Sequence, residues 1–197
     1  MKIRGAFTAL VISFSAVIAA PAHASSTVIG IAYDIGGRGD RSFNDAAAVG
    51  LEKASKQFSF TVQPVVTDGT TTDRDHRVRS LIAKNCNPII VVGAGYAPVI
   101  QALAVEFPNT QFAILNDASI DALNVTSLIF ADTQGAYLAG FSAALASKTG
   151  KVAMIANANQ ADIYQNGFLA GVVASKRAVK SSVKYVNGSS VTAAKQA

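Results

Sequence analysis

The sequence predicts an α/β fold built on a parallel sheet. Three observations carry this. Short β-branched apolar runs alternate with helical segments along the chain. One of the runs, "PIIVVG", is continuously apolar, as buried parallel strands are. Asp, Asn and Gly recur just after strands, where the loops of such a sheet gather along one edge.

The elements follow in order. "TVIGIAY", Thr27 to Tyr33, is a β-branched strand. "NDAAAVGLEKASKQF" is a helix, with Ala47, Leu51, Ala54 and Phe58 on one face and Ser42 or Asn44 as its cap. "FTVQPVV", Phe60 to Val66, is a strand that Pro64 pushes towards a sheet edge. "RDHRVRSLIAKN" is a helix, "PIIVVG" a buried strand, and "APVIQALAVEF" a helix with Pro98 in its first turn. "QFAIL" and "NVTSLIFA" are strands, and "GAYLAGFSAALAS" is a helix rich in small residues. "KVAMIAN", the segment Asp162 to Lys176 and "SVKYVN" complete a strand, helix and strand.

The first residues set the compartment. Lys2 and Arg4 precede an apolar run from Ala6 to about Ala20, and Ala22-His23-Ala24 is an A-x-A-like cleavage site. This reads as a signal peptide over residues 1–24. The run falls short of the roughly 20 apolar residues of a membrane span, and Pro21 follows it. Cleavage leaves 173 residues, 15 Lys+Arg against 12 Asp+Glu, and a net charge of +3. Charges of both signs are scattered, which argues against nucleic acid as partner. Cys86 is alone, so no internal disulfide or cysteine metal cluster can form, and a packed structural role is expected. No metal or cofactor is expected, and no catalytic Ser/His/Asp or Cys/His set is visible.

Four strand ends deliver Asp34, Asp68-Gly69, Gly93 with Gly95, and Asn116-Asp117 to the same rim. The loop "YDIGGRGDRSFND" is the most distinctive. As a dinucleotide fingerprint it begins well at Gly37 and Gly39 but places Ser42 at the third glycine, and it lacks the Gly-Lys-Ser/Thr of a phosphate loop. Phe43 remains, either as a staple on its own helix or as a ring face offered to a flat ligand.

"YDIGGRGDRSFNDAAAVGLEKA" resembles the opening signature of the basic membrane protein family of ABC-transporter substrate-binding proteins, which includes purine nucleoside receptors. The similarity continues through "IIVVGAGYAPVIQALAVEFPNTQFAILN", "AYLAGFSAALASKTGKVAMI" and "QNGFLAGV". It implies a type I periplasmic-binding-protein fold: a complete first lobe over residues 25–130, a crossover helix and hinge over 131–150, and part of a second lobe over 151–197. It also implies an extracytoplasmic receptor that binds a purine nucleoside or similar small molecule between its lobes and delivers it to an ABC permease. By position, Phe43 would stack on the base, Asn44 and Asp117 would bond to it, and Asp34, Gly95 and Tyr96 would line the first-lobe wall.

The chain departs from the family pattern in three places. The cleavage site "AHASS" has no lipid-anchoring cysteine, and "ANANQADIYQNGF" replaces the usual glycine-rich turn and aromatic of the second lobe. Two lobes would need about 300 residues, so a truncated or split product is expected. Two other functions stay open: a remnant that binds nothing, and an exported nucleoside- or sugar-modifying enzyme using Asp34, Asp68 or Asp117 as base.

Overall fold

The computed structural model describes residues 27–157 and 161–186. The signal-peptide segment and the last residues of the chain lie outside that range, as does Asn159 of the second-lobe turn.

Five strands form one parallel sheet in the order β2-β1-β3-β4-β5: β1 Thr27–Tyr33, β2 Phe60–Val66, β3 Ile89–Val92, β4 Phe112–Leu115 and β5 Val125–Leu128. β2 is an edge strand, the position that Pro64 requires. Strand alternation sends side chains to two cores. Ala32, Ile89, Val91, Phe112 and Ile114 pack under α2 (Thr71–Ala83) and α3 (Ala97–Glu106), against Val78, Leu81, Val99, Ile100 and Leu103. Ile31, Tyr33 and Val92 point the other way, onto Ala48 of α1 (Phe43–Gln57). Cys86 is buried in the first of these cores, and burial pushes its thiol pKa up, as suits a packed, unreactive side chain.

α1 departs from expectation at both ends. It stops at Gln57, so Phe58 turns into extended backbone and is exposed instead of closing the apolar face. Neither Ser42 nor Asn44 caps it. Asp40 does, its two carboxylate oxygens accepting from the backbone N–H groups of Ser42, Asn44 and Asp45. An ionised acceptor reaching three orphan donors is a stronger cap than one hydroxyl.

The chain then crosses into a second unit. α4 (Asp132–Ala146) and α5 (Ala161–Ala174) cover one face of a two-stranded parallel sheet, β6 (Lys151–Asn157) and β7 (Lys180–Val186). The small residues of α4 have a structural use here. Gly140 lies against the backbone of Phe168, and Gly171 against the carbonyl of Tyr137, so the helices approach backbone to backbone. Ala144, Phe168 and Val172 form the small core beneath. No helix among the described residues is long and apolar enough to cross a membrane.

Candidate functional site

The sheet order reverses between β1 and β3, and the loops leaving those two strands part there. Open α/β sheets bind ligands at this switch point. A cavity of about 540 Å³ occupies it, lined by Asp34, Ile35, Asp40, Ser42, Phe43, Asn44, Val92, Gly93, Ala94, Gly95 and Asn116. Three strand ends therefore meet, those of β1, β3 and β4. The fourth does not. Asp68 accepts from the N–H and hydroxyl of Thr70 and is turned into the start of α2. There its own N–H donates to Asp73, and that bond, reinforced by Arg77, holds the Asp73 carboxyl below its usual range.

Phe43 stands at the first position of α1 with 39 % of its surface exposed. Its ring meets Phe130 edge-on, with centroids 5.9 Å apart. It borders both the polar cavity and an adjoining apolar one of about 420 Å³ formed with Ala46, Ala47, Leu115 and Phe130.

Asn44 is almost fully buried and makes a reciprocal pair with the backbone of Asp34. Its Oδ1 accepts from the Asp34 N–H at 2.9 Å and its Nδ2 donates to the Asp34 carbonyl at 3.3 Å. Asn44 thus shapes the loop with one face of its amide while lining the cavity. The expectation for Tyr96 is corrected. It does not line the wall, because its side chain is wholly buried and its hydroxyl donates to the Tyr33 carbonyl at 2.9 Å. Burial, with the nearby Asp34 charge, pushes its phenol far above the ordinary tyrosine value.

Asp34 lines the cavity with its side chain about one-third exposed, and its Oδ1 accepts from Arg74 at 2.8 Å. Gly93 holds φ 104° beside it, a conformation that glycine adopts without strain. Asp117 sits apart. Its Oδ1 accepts from the N–H and hydroxyl of Ser119, and it lines a neighbouring cavity of about 530 Å³ with Asp132, Gln134 and Ile163. Asn116, held at φ 65° with its N–H on the Leu128 carbonyl, takes the place in the first cavity and borders the second as well. The second cavity joins the two sheet units. The Tyr164 phenol of α5 is raised by burial and by hydrogen bonding to Asp132.

Sequence reasoning left out Arg74, Phe130 and Ile163. Arg74 opens the segment read as a helix with nothing local to single it out, and Phe130 falls at the tail of a segment read as a strand. Nothing in the local pattern marks Ile163. Among the described residues no group of His, Cys, Asp and Glu is placed to hold a metal ion.

An open parallel sheet with a polar, aromatic-edged cavity at its switch point defines an α/β ligand-binding class. The chain belongs to the family of ABC transporter substrate-binding proteins described as PnrA-like, whose model matches residues 27–196. It is 34 % identical over 163 residues to the CD4+ T-cell-stimulating antigen of Listeria innocua, covering 78 % of this chain and 45 % of that protein. It is 32 % identical over 171 residues to the ABC transporter nucleoside-binding protein BmpA of Lactococcus lactis, covering 84 % and 48 %. In structure it resembles a solute-binding protein of an ABC transporter system from Aeropyrum pernix, with a TM-score of 0.72 at 24 % identity, over 82 % of this chain and 48 % of that one. The last likeness concerns the fold alone. The chain spans just under half the length of these relatives.

Proposed function

We propose that this protein is an extracytoplasmic solute-binding receptor of an ABC importer, with a purine nucleoside or similar small molecule as its ligand. The observation that carries the reading is Phe43, an exposed ring at the border of a polar cavity whose wall carries the Asp34 carboxylate. The ring stacks on the base, since every base has a π-face. Asp34 accepts a hydrogen bond from a ligand hydroxyl or N–H, and Gly95 borders the same wall. Asp117 reaches the ligand from the neighbouring cavity, where the two lobes face each other. Residues 1–24 are removed on export, residues 25–130 form the first lobe, 131–150 the crossover and hinge, and 151–197 contribute to the second. The name of the Lactococcus lactis relative supports the ligand class. The receptor performs no bond-making step, and an ABC permease receives the ligand.

The test is a thermal melt of the secreted chain with a panel of nucleosides. A ligand at 100 times its Kd adds about 2.7 kcal/mol of stability. A melt that moves with one purine nucleoside supports the reading, and Phe43→Ala then weakens binding by roughly 5- to 150-fold, since losing a base–aromatic stack costs about 1–3 kcal/mol. A melt unmoved by every nucleoside points to the other reading, a remnant that binds nothing. Turnover of a nucleoside by the protein would make it an enzyme.

A further inference from the structure

We propose that Arg74 is a positioning residue of this site: it orients the Asp34 carboxylate towards the ligand and braces the loops after β1, β2 and β3 against one another. The inference rests on the nucleoside reading above and deepens it.

Arg74 lies near the start of α2 with only 11 % of its side chain exposed. Nη2 donates to Asp34 Oδ1 at 2.8 Å, in the loop after β1, and Nη1 donates to the Gly69 carbonyl, in the loop after β2. Cζ lies 5.4 Å from the centre of the Tyr96 ring, in the turn after β3. One planar guanidinium thus meets all three loops, a span that its fixed fork of donors permits and a lysine ammonium does not. Gly95 shows how close the fit is. A Cβ there would lie 2.7 Å from Nη2 and 2.8 Å from Cζ.

Stability alone is a poor reason for this arrangement. Desolvation offsets much of what a buried ion pair gains. The Arg74 Nε–H is also buried without a partner among the described residues, which costs further. What the arrangement does secure is direction. Arg74 occupies Asp34 Oδ1. Oδ2 lies beside Gly93, another cavity residue, and carries no hydrogen bond among the described residues. Asp34 therefore offers the ligand one fixed acceptor. Its match is a donor on a neutral molecule, a nucleoside hydroxyl or N–H. The Arg74 charge is already engaged by Asp34 and does not serve a phosphate.

The experiment is a double-mutant cycle on the affinity of the whole secreted chain for adenosine, guanosine and inosine, measured by titration calorimetry alongside melting temperatures. Asp34→Asn and Arg74→Met each weaken binding by roughly 10-fold or more, the worth of a charge-assisted hydrogen bond. The double variant is no weaker than Asp34→Asn alone, because Arg74 acts through Asp34. Gly95→Ala, which displaces the guanidinium while keeping every charge, weakens binding as Arg74→Met does. Arg74→Lys fails to rescue it. If Arg74→Met does not fold, Gly95→Ala and Arg74→Lys each take its place in the cycle with Asp34→Asn. Losses that multiply in the double variant overturn the inference and leave the site reading standing. So does a lowered melting temperature with unchanged affinity, the mark of a merely structural arginine. If the unaltered chain binds none of the three nucleosides, the site reading falls and this inference falls with it.

Discussion

The two sheet units of this molecule bury their apolar surface by different means. Around β1–β5, helices lie on both faces, and large side chains such as Leu103, Ile114 and Phe112 fill the space between layers. Around β6–β7, the helices among the described residues lie on one face, and the tight contact is between the helices themselves, at Gly140 and Gly171. On the other face Ile155 is half exposed. The first unit therefore rests on volume filled by side chains. The second rests on volume left empty at glycines, where any added side chain separates the layers. The polar cavity at the switch point belongs to the first unit, where its loops are anchored by a complete core.

This contrast can be broken or sharpened by substitution. The largest effect is expected from Leu103→Ala. Leu103 is fully buried, and its truncation should cost about 2–5 kcal/mol in urea unfolding of the five-stranded unit. Equal loss of protection in β6–β7 would show that the two units unfold as one, and the contrast would fail. Gly171→Ala ranks next. Its new Cβ would lie 1.9 Å from the Tyr137 carbonyl oxygen, so α4 and α5 must move apart. Amide exchange should then speed up in β6 and β7 while β1–β5 keep their protection. Unchanged exchange in β6 and β7 would mean that the helix contact does not hold that unit together.

The smallest effect lies in the rim loop. Desolvation would raise the Asp40 pKa, but the backbone N–H groups of Ser42, Asn44 and Asp45 together with the Asn44 side chain outweigh it and hold the carboxyl below its ordinary 3.8. A depressed folded value means that this stabilisation is fully present above about 3.8 and fades as pH falls through the folded value. The amides of residues 42–45 should therefore lose protection in acid before the β3 and β4 amides do. Asp40→Asn should loosen the same amides at neutral pH and remove that acid step. A loop whose protection ignores both changes would show that Asp40 is not its cap.

Much of the fold was legible in the chain because its signals are local. The alternation of β-branched runs and helical segments announced a parallel sheet, and Pro64 announced that β2 sits at an edge. The rim was partly legible for the same reason, since Asp34, Gly93, Gly95 and Asn116 stand at strand ends. What stayed hidden involves partners distant in sequence. Asn44 pairs with Asp34 ten residues earlier, and Tyr96 with the Tyr33 carbonyl, contacts that no helical or strand period encodes.

The sequence by itself determined the elements, the parallel sheet and the edge on which a site would form, because periodicity and turn chemistry are properties of neighbouring residues. Only the tertiary structure decided which rim residues face the cavity. It buried Tyr96, paired the Asn44 amide with the Asp34 backbone, moved Asp117 to a neighbouring space, and brought Arg74 forty residues along the chain onto Asp34. Which way a side chain faces depends on which loops the strand order makes adjacent. That order is settled by packing across the whole sheet.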